Sequence, residues 1–313
     1  MNEYSNPASE LLDLRFRDSD FEFRFSDLGF KFMTIREALS LLRKELSAPL
    51  GCFAQPQSEE ILQFLFNCSR SELFLSSDRS LTEYQKDQLF HILKRRLKGE
   101  PLAYILGKTF FYSREFKVSK STLIPRPDTE ILVEQVLLNE KQDKARFVDI
   151  GIGSGIISTV LTEERPQWRA LGIDISFDTL KVAKQNISKA VQLLCSDLLS
   201  ALKSSEFDFL VSNPPYISGN EMNVLDPEVK DFEPHLALYG GSDGLYFYRK
   251  LASEAGKVLK KNGRLYCEIG YNQQDSVMEI FMDAGWEDLK ITRDLSGHPR
   301  VLRAVLRKVW MTQ

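Results

Sequence analysis

Arg146-Phe-Val-Asp-Ile-Gly-Ile-Gly-Ser-Gly155 is the stretch that decides the fold class of this chain. An apolar run of strand length leads straight into three alternating glycines, and a helical pattern follows over 155–164. Glycines at 151, 153 and 155 let the backbone turn sharply and approach a ligand closely, because no Cβ stands in the way. Strand, glycine turn and helix in that order open a parallel α/β sheet, whose ligand site lies outside the carboxyl ends of the strands. The spelling G-x-G-x-G lacks the last glycine of the dinucleotide fingerprint G-x-G-x-x-G, which argues against a dinucleotide dehydrogenase.

Outward from this turn the chain alternates between short apolar strands and helices. Strand patterns fall at 145–150, 169–173, 191–195, 207–212, 263–269, 285–291 and 300–307, and helical patterns at 128–138, 155–164, 177–188, 244–260 and 273–283. Asp174 closes the second strand about twenty residues beyond the glycines, where a carboxylate accepts from ribose hydroxyls. Ser176 is better placed than Asp174 to cap the helix that follows. In Cys195-Ser-Asp-Leu198, Asp197 stands where an adenine amino group needs an acceptor. Asp149, beside the glycine turn, has two open roles: bonding the turn amides or accepting from a ligand ammonium. With no Walker lysine, these residues point to adenosine carrying a small cationic tail.

The chemistry is read from Phe207-Asp-Phe-Leu-Val-Ser-Asn-Pro-Pro-Tyr216, an apolar strand ending in Asn213-Pro214-Pro215-Tyr216. Two prolines fix φ and bring no N–H, so the carbonyls around them stand as rigid acceptors. That arrangement suits an incoming NH₂ on an sp² carbon, a poor nucleophile because its lone pair is delocalised. Asn213 through its side-chain oxygen and Pro214 through its carbonyl would take the two hydrogens and aim the lone pair at a sulfonium methyl group. Tyr216 would stack on the planar acceptor. No clustered histidine is needed as a base, and His91, His235 and His298 are scattered.

Upstream lies a different composition. Residues 1–32 alternate Phe with charges and read as a tail whose role is open between edge strand, docking segment and unstructured sequence. Thr34-Ile-Arg-Glu37 spells a capping box, and helical spacing continues through 58–68, 71–76 and 82–98. Ser80-Leu-Thr-Glu83 reads as a second box, and Pro56 and Pro101 as breakers. The expected organisation is the tail at 1–32, a helical bundle at 33–106, a linking hairpin at 107–122 built around a Ser-Arg turn, and the α/β domain at 123–313.

A chain of 313 residues accommodates such a pair of domains. The formal net charge of −3 argues against a broad phosphate-binding face, so no direct nucleic-acid binding is expected. No apolar run has bilayer length and no secretory signal is read, so the expected site is the cytoplasm, away from membranes. Cys52, Cys68, Cys195 and Cys267 have no metal-ligand spacing and read as ordinary buried thiols, with no metal expected.

From about residue 34 onward the chain closely resembles the PrmC/HemK family of release-factor glutamine N5-methyltransferases. The resemblance is carried by Gly99-Glu-Pro-Leu-Ala-Tyr-Ile-Leu-Gly107, Leu123-Ile-Pro-Arg-Pro-Asp-Thr-Glu130, Asp149-Ile-Gly-Ile-Gly-Ser-Gly155, Asn213-Pro-Pro-Tyr216 and Phe232-Glu-Pro-His-Leu-Ala-Leu238. It implies a seven-strand Rossmann-like class I methyltransferase sheet behind a small helical domain, with S-adenosyl-L-methionine as cofactor. It also implies that Gly151, Ile152, Gly153, Ser154, Gly155, Asp174, Asp197, Leu198 and Asn213 contact that cofactor, while Asn213, Pro214, Pro215 and Tyr216 hold a glutamine. The implied partners are class-1 peptide chain release factors, through the glutamine of their Gly-Gly-Gln loop. Leu198 replaces an aromatic residue of some relatives, which reduces its adenine contact to apolar packing. Arg126 and Thr129 lie in a Pro-bounded turn that opens a helix and receive no catalytic role. The rival is an adenine-N6 nucleic-acid methyltransferase, which uses the same Asn-Pro-Pro-aromatic device but needs a basic surface.

Overall fold

The computed structural model describes residues 32–203 and 206–307, so the reading of the tail lies almost wholly outside the described residues. The described chain forms two compact units, dividing between Lys94 and Arg95.

The first unit is helical. Helix α1 (Ile35–Leu50) starts at Thr34, whose hydroxyl accepts from the Glu37 N–H, while the Glu37 carboxylate accepts from the Thr34 N–H at 2.7 Å. This is the expected capping box, and it satisfies two donors that the helix start leaves without intrahelical partners. Helix α2 (Ala54–Phe66) runs through Pro56, which lies in the first turn where its missing N–H costs nothing; the expected break is therefore absent. Helix α3 (Arg70–Leu75) is capped by Ser69 and Glu72. Ahead of helix α4 (Glu83–Leu97) the second box is Thr82 with Gln85, at 3.0 and 3.2 Å, and not one begun by Ser80. Ser80 is engaged elsewhere, its backbone bridging to Thr34. Ile35, Leu42, Leu46, Ile61, Leu62, Leu89 and Leu93 recur at helical spacing and close the core of this unit.

In the second unit a short helix α5 (Leu102–Leu106) precedes a hairpin of β1 (Lys108–Phe111) and β2 (Arg114–Lys117). Its turn residues are Tyr112 and Ser113, one place earlier than the expected Ser-Arg turn. Both have positive φ, as a two-residue turn compatible with strand twist requires.

The sheet has seven strands in the order β5-β4-β3-β6-β7-β9-β8. They are β3 (Arg146–Ile150), β4 (Arg169–Asp174), β5 (Val191–Cys195), β6 (Phe207–Ser212), β7 (Leu259–Glu268), β8 (Glu287–Arg293) and β9 (Pro299–Val305). All pairs are parallel except those made by β9, which runs antiparallel between β7 and β8. Helices α6 (Thr129–Asn139), α7 (Ile156–Glu164), α8 (Phe177–Asn186), α11 (Tyr246–Glu254) and α12 (Gln274–Asp283) cover it, and short α9 (Pro227–Phe232) and α10 (His235–Leu238) follow β6. This is the expected α/β architecture.

Alternation along the strands builds a core on each face. Phe147, Trp168, Phe209 and Tyr266 share one face, with the Phe147 and Phe209 rings stacked at 4.8 Å. Val148, Leu210, Leu265, Tyr248, Phe281 and Trp286 share the other. Each such fully buried large side chain contributes on the order of 2–3 kcal/mol, so the doubly covered centre of the sheet is the rigid floor from which the strand-end loops project.

Two further expectations change. The helix expected to reach residue 260 ends at Glu254, and β7 begins at Leu259, paired with Phe207, before Asn262 at positive φ bends it. Of the thiols expected to be buried, Cys267 is, but Cys52 and Cys195 are exposed. Cys52 lies in the turn after α1 and Cys195 at the end of edge strand β5.

Candidate active site

Strand order reverses at β3, flanked by β4 and β6, and an open α/β sheet places ligands at the carboxyl ends beside such a switch point. The glycine turn after β3 is pinned there. Gly151 and Ile152 both donate to the Ile173 carbonyl, at 2.8 and 2.9 Å, and Gly151, Gly153 and Gly155 all adopt positive φ. Asp174 accepts from the Gly153 N–H at 3.2 Å and from the Ser176 N–H at 2.9 Å, and burial raises its pKa. Ser176, as expected, caps α8 by accepting from Thr179. Gly172 was not singled out from sequence, yet a Cβ there would lie 2.1 Å from Ile152 Cδ1. Its bareness lets Ile152 fold beneath the turn.

Asp149 is fully buried behind this turn. Oδ2 accepts from the Ser158 N–H at 3.1 Å and its hydroxyl at 2.7 Å, so the carboxylate ties the start of α7 to β3. Oδ1 has no hydrogen-bond partner among the described residues. Burial, seconded by the negative charge of Asp174, pushes its pKa up to about 7. Asp149 thus bonds the start of α7 and not the turn amides expected of it, and keeps one oxygen uncommitted.

A cavity of about 430 Å³ opens above these strand ends. Its walls include Gly151, Ile152, Gly153, Ser154, Asp174, Asp197 and Leu198 from the β3, β4 and β5 ends, and Asn213, Pro214 and Pro215 from the β6 end. Ten of the residues named from sequence therefore share one cavity, while Asp149, Gly155 and Tyr216 stand behind its wall. Asp197 is exposed, and Leu198 takes positive φ. A largely apolar hollow, a glycine cradle, two strand-end carboxylates and the uncommitted Asp149 oxygen fit adenosine with a cationic amino-acid tail.

The Asn213–Tyr216 turn is held from below. Asn213 Nδ2 donates to Thr129 Oγ1 at 3.0 Å, and the Thr129 hydroxyl donates to Glu268 Oε2 at 2.7 Å. The Tyr216 hydroxyl donates to the other oxygen, Oε1, at 3.4 Å, and its ring packs on the core instead of facing the cavity. Among the described residues no protein group donates to Asn213 Oδ1 or to the Pro214 carbonyl. Gly240 presses against the turn, where a Cβ would meet the Pro215 oxygen at 2.7 Å and Tyr216 Cα at 2.8 Å.

Arg126 and Thr129, given no role from sequence, both line the cavity. Arg126 pairs with buried Glu233, which also accepts from the Ile124 N–H at 3.3 Å, and these bonds join the 123–130 and 232–238 segments across the site. Burial raises the pKa of Glu233 against the pull of that guanidinium. Glu268 went unnoticed as well. It is an acid at the carboxyl end of a strand that the sequence shows, but it lacks the spacing from the glycines that singled out Asp174.

Known proteins match along most of the chain. The family described as PrmC N-terminal domain matches residues 37–107, and that described as methyltransferase small domain matches 127–241. A release factor glutamine methyltransferase of Koribacter versatilis is 39% identical over 86% of this chain and 98% of its own length. One from Caulobacter vibrioides is 39% identical over 78% of this chain and 87% of its own. Among solved structures, the hMettl16 catalytic domain in complex with an RNA hairpin superposes with a TM-score of 0.51 at 16% identity, covering 72% of this chain and 84% of that one, and so shares the fold alone. With that identity across most of the length of these relatives, the chain belongs to the release factor glutamine methyltransferase family.

Proposed function

We propose that this protein methylates the side-chain amide nitrogen, N5, of the glutamine in the Gly-Gly-Gln loop of class-1 peptide chain release factors, using S-adenosyl-L-methionine. One observation carries the reading: the Asn213-Pro-Pro segment and the glycine cradle with Asp174 are walls of a single cavity. When bound, S-adenosylmethionine supplies an electrophilic methyl carbon on a sulfonium. Everything else belongs to the chain. Asp174 takes the ribose hydroxyls, Asp197 and Leu198 border the base, and the glycine turn, with the Asp149 charge behind it, receives the amino-acid tail.

A carboxamide nitrogen shares its lone pair with the carbonyl, so positioning and electrostatics must do the work. Asn213 Oδ1 and the Pro214 carbonyl, both uncommitted, accept its two hydrogens and withdraw them from the line of attack. They also stabilise the positive charge that grows on nitrogen. No strong base is needed, because a methylated amide nitrogen releases its surplus proton readily. Tyr216, with its hydroxyl on Glu268, keeps the turn in place from behind. The helical unit serves recognition of the release factor, and the reaction takes place in the cytoplasm.

Transfer of tritiated methyl to a purified release factor, to its loop Gln→Ala variant and to duplex DNA tests the reading. Label is expected on the unaltered factor alone, and label on DNA would move the assignment to adenine-N6 methylation. Asn213→Ala is expected to lower transfer by about 100-fold or more while cofactor affinity stays near parental. Equal loss of both would show that Asn213 serves the cofactor only.

A further inference from the structure

The Asn-Pro-Pro device works only if the Asn213 amide presents its oxygen to the incoming NH₂. Presented the other way round, it would set donor against donor. Nothing within the turn chooses, because the two ends of an amide have the same shape. The choice comes from beneath, through the Thr129 hydroxyl, which has one proton to give and lone pairs to receive with.

We propose that Glu268 is a positioning residue for methyl transfer, fixing through Thr129 which end of the Asn213 amide faces the acceptor. This deepens the proposed function and rests on the role assigned there to Asn213. Glu268 is 2% exposed and Thr129 is 1% exposed, so water does not compete for either group. The ionised carboxylate can only accept, and at 2.7 Å it takes the Thr129 proton. Thr129 then has only lone pairs to offer, and it accepts from Asn213 Nδ2 at 3.0 Å. Oδ1 is thereby left for the cavity. A reversed amide would bring oxygen against oxygen with no proton between them, forfeiting a buried bond. A bond of that kind corresponds to about a 10- to 100-fold preference for the productive orientation.

The carboxylate is itself held between opposing influences. Facing it are Asp128 and Thr129 at the start of α6, Arg300 on β9, Tyr216 on the turn, and Cys267 on its own strand. The Tyr248 hydroxyl of α11 donates to the Glu268 backbone carbonyl at 3.1 Å and to Gln273 Oε1 at 3.3 Å. Of these only Arg300 is cationic, and it is shared with Asp128 at 3.0 Å and Asp294 at 2.8 Å. Burial accordingly raises the carboxyl to about 7. Once protonated, Glu268 can donate to Thr129, whose own proton turns to Asn213 and favours the reversed amide. Turnover is therefore expected to rise with pH through neutrality.

The test measures kcat for methylation of a purified class-1 release factor, with saturating S-adenosylmethionine, from about pH 5.5 to about pH 9. Calorimetric affinity for S-adenosylmethionine serves as the fold control. The parent should show an ascending limb centred near 7. Glu268→Gln and Thr129→Val should each lower kcat by about 10- to 100-fold and lose that limb, with cofactor affinity retained. Thr129→Ser, which restores the hydroxyl, should recover most of the rate and the limb. Parental kcat and parental limb in Glu268→Gln or Thr129→Val would overturn the relay, as would Thr129→Ser as slow as Thr129→Val. Asn213→Ala separates the two readings. If it is inactive while the relay variants remain parental, only the relay fails; if it too is fully active, the role of Asn213 itself falls.

Discussion

A carboxylate shut behind the glycine turn is the costliest single residue of the site. Asp149 receives two bonds from Ser158 but buries its other oxygen without a partner, and its pKa rises to about 7 from 3.8. Between those two values the folded state binds the proton more tightly than the unfolded chain, so stability falls as pH rises through this window and the full penalty stands above it. Asp149→Asn keeps an oxygen for Ser158 and removes the charge. The variant is expected to be more stable than the parent at pH 8, with a ceiling of about 4 kcal/mol, and no more stable at about pH 4. Its affinity for S-adenosylmethionine should fall, because the negative charge behind the glycine turn that attracts a cationic tail would be gone. Urea denaturation of both proteins at the two pH values decides the matter: parallel stabilities across pH would mean that Asp149 is not the group that titrates.

At the scale of elements, the turn after β6 depends on segments far from it in sequence. The backbone of 238–240 straps it, with Ile217 donating to the Leu238 carbonyl at 3.0 Å and Gly240 donating to that of Ile217 at 2.8 Å. Gln273 Nε2 reaches the Tyr216 carbonyl at 2.9 Å. Gly240→Ala would put a methyl group against backbone atoms at 2.7 and 2.8 Å, so the strap or the turn must move. A shift of even part of an ångström in acceptors that aim a lone pair is expected to lower kcat by about 100-fold, with cofactor affinity little changed. Single-turnover kinetics would show it, and a parental rate would mean that the strap does not position the turn. These dependences also mark where the sequence stops being readable. Strands β3, β5 and β6 are legible because alternation and glycine or proline punctuation are local signals. The cradle and the Asn213 turn are legible for the same reason. Thr129 and Glu268 lie 139 residues apart and meet only through the sheet order, so no local pattern pairs them. The start of β7 was misread because Asn262-Gly263 looks like a turn between elements and is a bend within one.

For the molecule as a whole, the two units differ in what they contain. The cavity and every residue assigned to chemistry lie beyond Arg95, whereas the helical unit offers a surface. That surface is unusually apolar in places: Leu75 is 87% exposed and Tyr84 is 72% exposed, each at the edge of a short connection. Large apolar groups left in water are a common mark of surfaces that close against another protein. If the helical unit recognises the release factor, Leu75→Lys and Tyr84→Lys should each raise KM for the intact factor by about tenfold and leave kcat near parental. Neither replaces a core side chain, so stability should move by no more than about 0.5 kcal/mol. A short Gly-Gly-Gln peptide, too small to reach beyond the catalytic unit, supplies the internal control. Parent and variants should methylate it with equal, poor efficiency. Unchanged KM for the intact factor would remove recognition from this face of the helices, whereas loss of activity toward both factor and peptide would place these residues in support of the catalytic unit.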